Sequence, residues 1–168
     1  MVKSFYFIIV FIFLCYSCIY TGSMNSHGIP TTNFENVKCN SYLSEKYKGL
    51  YECRYYFSGI DKRGNYKDLT DVSSTPNFLD KTTYIQVYES CIARIFVNRQ
   101  LGGIDNLVPD SGLMAYIESK KNRDNIVFFT VINGEGRIIK NHISIKKDTL
   151  IIEEAGSGTS GYIYTKIK

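Results

Sequence analysis

Tryptophan is absent from this chain, proline occurs three times, histidine twice, and charges of opposite sign nearly cancel. Each scarcity excludes something. Three prolines are too few for a proline-rich linker or a disordered chain. His27 and His142 lie far apart, and no C-x-x-C follows residue 18, so no zinc pattern and no metal site is expected. The 20 basic and 16 acidic residues leave a net charge of +4 spread along the chain, which provides no dedicated nucleic-acid surface. Residues 155–161 (AGSGTSG) contain no lysine and lead into no helix, so they form a flexible connection rather than a phosphate loop. Residues 58–66 (SGIDKRGNY) carry the turn formers Asp61, Gly64 and Asn65, but Asp61, Asn65 and Asp68 do not follow the alternating ligand spacing of a calcium loop. No cofactor is implied.

What the chain has in quantity is sheet-forming sequence. It holds 14 Tyr and 10 Phe, together with short runs of Ile, Val and Thr. At 168 residues and 44% hydrophobic it is long enough for one domain with a real core. Residues 137–145 alternate, with Ile139, Ile143 and Ile145 on one face and Lys140, His142 and Ser144 on the other, the period of a strand buried on one side. Similar runs at 49–57, 82–88, 91–97, 113–118, 126–132, 149–153 and 161–167 are separated by turn-forming stretches, among them the charged 119–125 (SKKNRDN) and the NGEG at 133–136. The expected fold class is all-β, an antiparallel up-and-down meander. In the first run Tyr51, Cys53, Tyr55 and Phe57 share a face that is expected to point inward. Residues 41–47 (SYLSEKY) read as a short helix or turn that Ser41 can cap. The 98–112 loop is long enough to be a lid over one end of a barrel or a packed surface loop.

The N-terminus carries a targeting signal. Lys3 precedes an uninterrupted apolar core at residues 5–14 (FYFIIVFIFL), shorter than the roughly 20 residues of a spanning helix. Residues 1–17 are therefore expected to act as a signal peptide, 18–33 as a polar tether, and 34–168 as a single β domain. Ser17 before Cys18 resembles a bacterial lipoprotein signal, in which Cys18 would be acylated, although Cys15 and Tyr16 depart from the usual pattern; an ordinary signal cleaved near Ser23 is the alternative. Either way the protein is exported, to the cell envelope or beyond. Export permits disulfides, and Cys39, Cys53 and Cys91 allow three pairings between which sequence does not choose.

The pattern as a whole is similar to the small exported lipocalin-like proteins of bacteria. In that family a Gly-x-Trp opens the first strand and a basic residue near the last strand packs over the ring. Here Gly49 and Tyr51 stand in the first element and Lys166 is the candidate basic residue. The resemblance implies a small β-barrel of eight or nine strands enclosing one small apolar ligand. The expected lining is Tyr51, Tyr55, Phe57, Ile85, Val87, Phe128 and Ile143. No catalytic constellation accompanies it: His142 sits on a polar face, and Glu153 and Glu154 point to opposite sides of a regular strand. The sequence thus points to a non-enzymatic binding domain, attached to a membrane through its N-terminal lipid. The alternative is an envelope protein-interaction module with a filled core, working through a tyrosine-rich outer face that includes Tyr84 and Tyr88.

Overall fold

A computed structural model describes residues 39–72, 83–97, 107, 112–120, 122–132, 135–156 and 159–168. The signal segment, Cys18, the tether, His27 and most of the 98–112 loop lie outside these residues.

Among the described residues one helix precedes nine strands. The helix α1 (Ser41–Tyr47) starts at Asn40, not Ser41: the Asn40 side chain accepts a 2.9 Å hydrogen bond from the Tyr42 backbone N–H, satisfying a donor that the first turn leaves open. The strands are β1 (Gly49–Ser58), β2 (Thr70–Asp71), β3 (Thr83–Val87), β4 (Ile92–Val97), β5 (Leu113–Lys120), β6 (Arg123–Ile132), β7 (Glu135–Lys146), β8 (Thr149–Glu153) and β9 (Ser160–Lys166). Strands β3 to β9 follow one another as antiparallel neighbours, β1 joins β3 on one side and β9 on the other, and the sheet closes into an eight-stranded barrel. Closure removes the exposed edges that an open meander would leave. The short β2 is the ninth strand, paired to β1 at Tyr55 and Tyr56, where β3 no longer accompanies it.

The charged stretch at 119–125 is mostly strand. Strands β5 and β6 pair as far as Lys120 opposite Arg123, leaving only residues 121–122 between them, with Asn122 at φ +61°. Polar residues extend a strand readily when one of its faces is wet.

The barrel has two unlike ends. Helix α1, the β3–β4, β5–β6 and β7–β8 turns and the C-terminus gather at one; the opposite ends of the strands, with the turn after β1, form the other. At the helix end a disulfide joins Cys39, just before α1, to Cys91 in the β3–β4 turn, and leaves Cys53 as a buried thiol. Cys91 adopts φ +61°, the left-handed position that lets a short turn reverse the chain, so residues 88–91 make a hairpin.

A β-bulge between Cys53 and Tyr55 redirects β1. Cys53 lies opposite Tyr164 and Tyr55 opposite Ile163, so two steps on β1 match one on β9. The inserted residue reverses which face each later side chain takes. Tyr51 and Cys53 point into the barrel, but beyond the bulge Tyr56 takes the inner face. The inward placement expected of Tyr55 and Phe57 is thereby corrected: Tyr55 is 41% exposed, and Phe57 is buried on the outer wall, its ring 4.5 Å from that of Tyr66 in the following turn.

Candidate functional site

The barrel interior is filled from the helix end. Leu43 and Tyr47 of α1 project into it and pack with Tyr51, Ile85, Val87, Ala93, Ala115, Ile117, Ile126, Ile143 and Leu150, all buried. Small residues on β4 and β5 make room for the tyrosines of α1 and β1. The Tyr47 hydroxyl donates to Asp124 at 2.8 Å, Lys46 donates to the same carboxylate at 2.7 Å, and the Tyr51 hydroxyl donates to the Tyr47 carbonyl at 2.9 Å. Burial raises both phenols far above their ordinary range, Tyr51 to about 12, so both stay protonated donors. Lys166 Nζ lies 5.9 Å from the Tyr51 ring centroid, a cation–π contact. Gly49 permits it: at φ +150° a Cβ there would stand 2.5 Å from Lys166 Cε.

Asp124 is the electrostatic keystone of this plug. Partial burial pushes its carboxyl up, but hydrogen bonds from Lys46, Tyr47 and Ser119 outweigh that and hold it below the usual aspartate range. A carboxyl with a depressed folded-state pKa stabilises the fold fully above its unfolded-state value and ceases to do so as the pH falls through the folded-state value. Asp124→Asn is therefore expected to lower the urea midpoint at pH 7, with the gap to wild type closing as the pH drops below about 4. A gap that is independent of pH contradicts the assignment.

The other half of the interior is different. There the inward residues Tyr56, Phe128, Ile139, Asn141 and Tyr162 are all only partly buried. Tyr56 and Tyr162 meet edge to face at 5.3 Å, and Tyr162 approaches Tyr164 at 6.4 Å. Polar groups edge this aromatic wall. The Asn141 side-chain oxygen accepts from the Ala155 N–H at 3.1 Å, and the Ser160 hydroxyl donates to Glu154 at 2.6 Å. Burial, reinforced by Glu154, Tyr56 and Cys53, raises the Tyr162 phenol to about 12, so it too remains a neutral donor and acceptor. Just past β8, Glu154 turns toward this wall, while Glu153 faces outside, where burial and then Glu153 raise the Tyr66 phenol. The two carboxylates thus take opposite sides, as the alternation requires.

Of the expected ligand-lining residues, Tyr51, Ile85, Val87 and Ile143 sit in the filled half, at 0 to 2% exposure. Phe128 sits in the half that reaches solvent, and Tyr55 and Phe57 lie outside the barrel. Tyr56, Ile139, Asn141, Glu154 and Tyr162 also face that half and are not among the residues expected to line it. Tyr162 and Tyr164 share a face of β9 by simple alternation, a signal present in the sequence; Tyr56 owes its direction to the bulge.

Of the two tyrosines expected on an exposed outer face, both point outward but Tyr84 is covered. Tyr84 is 7% exposed, packed with Leu50 and Phe96 beneath Leu107 and Ile167, and Tyr88 is half-buried. Leu107, which with Gly112 is described within the long loop, thus lies against the outer wall. His142 places Nδ1 2.8 Å from the Asp124 carbonyl oxygen, which fixes Nδ1–H as a donor. Among the described residues no cluster of His, Cys, Asp or Glu is arranged to hold a metal, and no helix is long and apolar enough to cross a membrane.

No family model matches the chain, and no curated protein or solved structure shows significant similarity to it.

Proposed function

We propose that this protein is an exported binding domain that holds one small, largely apolar ligand in the half of its barrel opposite α1. The observation that carries the reading is the unequal filling of the interior. Around α1 the inward side chains are buried apart from Ile145, whereas Tyr56, Phe128, Ile139 and Tyr162 in the other half are only partly buried. Apolar and aromatic surface that reaches solvent beside a few convergent polar groups suits a small-molecule site.

The polar edge narrows the ligand class. Tyr162 offers a neutral hydroxyl, Asn141 an amide, and Glu154 a carboxylate that repels a second carboxylate. A ligand with a hydroxyl or amine head fits better than a free fatty acid. The contact of Lys166 with Tyr51 over Gly49 supports the lipocalin-like reading, since that is the arrangement the resemblance implied. A lipid on Cys18, with residues 18–33 as tether, would hold the domain at a membrane surface of the bacterial envelope; cleavage near Ser23 would instead release it. Native mass spectrometry of protein recovered from an exporting host is expected to show a one-to-one adduct, or its uptake from a lipid extract. Consistently bare protein that takes up nothing argues for a filled recognition module.

A further inference from the structure

We infer a second site, on the outer wall at the helix end: an open cleft that binds a phosphate group through Lys120, Arg123 and Lys140. The three cations come from three adjacent strands. Lys120 and Arg123 are direct partners across the β5–β6 ladder, and Lys140 of β7 lies opposite Val127 on the same outer face. Together with Asn125 they line a cleft of about 420 Å³. Like charges placed directly opposite on a ladder repel each other, so this hairpin is built at a cost in stability that an anion would relieve.

Neighbouring acids do not cancel the charge. Glu118 pairs with Lys140, which leaves Lys120 and Arg123 in excess. Asp124 projects to the opposite side of β6 and is engaged by Lys46 and Tyr47. Asn125 is 8% exposed and forms the floor of the cleft, its Nδ2 donating to the Arg123 carbonyl at 3.2 Å. An arginine fork beside two ammonium groups suits the several oxygens of a phosphoryl group better than a single carboxylate. The cleft is larger than phosphate itself and has room for a phosphate ester. Its source is either a lipid headgroup or a soluble metabolite.

The test uses two probes, glycerol 3-phosphate and phosphatidylcholine vesicles with and without phosphatidic acid. Binding to at least one phosphate-bearing probe is expected, at low salt and weakening as salt rises. Lys120→Gln/Arg123→Gln should weaken it at least about tenfold. Glu118→Gln should tighten it about two- to threefold by releasing Lys140. Lys62→Gln, on the turn after β1, should leave it unchanged. These substitutions lie on exposed or half-exposed positions, so the fold is retained, which circular dichroism verifies. Preference for glycerol 3-phosphate or for vesicles assigns the source. Failure of both probes to bind at millimolar phosphate, or equal binding by the double variant, overturns the inference; neither result bears on the barrel interior.

Discussion

Gly161→Ala is expected to be the most damaging small substitution in the barrel, costing about 3 kcal/mol or preventing closure altogether. A Cβ at this position of β9 would stand 2.0 Å from the Ile152 carbonyl oxygen and 2.8 Å from the Phe57 ring. The first obstacle is backbone in the β8–β9 ladder and does not move without breaking pairing at Ile152 opposite Tyr162. The second fixes the outer end of β1, where Phe57 pairs with Gly161 itself. Because a domain of this size is stable by only about 5 to 15 kcal/mol, the loss is a large share of the whole. Urea unfolding reads the effect. A wild-type midpoint would mean that β8, β9 and the bulged end of β1 do not meet in this register.

Removing the Cys39–Cys91 disulfide should come next in size. The bond closes a loop with a sequence separation of 52, for which chain entropy gives about 4 kcal/mol, and measured losses commonly fall between about 2 and 5. Cys39→Ser/Cys91→Ser, which leaves only the buried Cys53 among the described cysteines, is expected to lower Tm by about 10 °C, as should reductant on the wild type. The local consequence is more specific than the global one. Cys39 adjoins the Asn40 cap, so α1 should lose its anchor, and its amides should exchange faster relative to those of β6 and β7. Reductant that leaves both Tm and α1 exchange unchanged contradicts the bridge.

The barrel strands were legible because each carries a local signal. Ile139, Ile143 and Ile145 face inward and Lys140, His142 and Ser144 outward, as alternation demands, and the eight expected runs coincide with the eight barrel strands within a few residues. What escaped is non-local. Tyr51, Cys53, Tyr55 and Phe57 alternate without fault in the sequence; only pairing with β9 creates the bulge that turns Tyr55 and Phe57 outward and Tyr56 inward. Tyr84 is polar-tipped and next to an inward residue, and its burial depends on Leu107 arriving from another part of the chain. The pairing of Cys39 with Cys91 follows from α1 docking against the β3–β4 turn, a contact that spacing does not encode. For the same reason the sequence grouped Lys120 and Arg123 as a hairpin tip but could not add Lys140, which β7 brings alongside.

The division of the interior into a sealed plug and a half-open aromatic wall underlies the functional reading, and titration with a neutral fluorescent hydrophobe, N-phenyl-1-naphthylamine, tests it most directly. A neutral probe avoids the cationic cleft. Wild-type protein should bind it one to one with micromolar affinity, and Ile139→Trp, which fills the wall opposite Phe128, should abolish binding without lowering Tm by more than about 5 °C. No binding by the wild type, or binding that survives the tryptophan in a folded variant, would contradict the account.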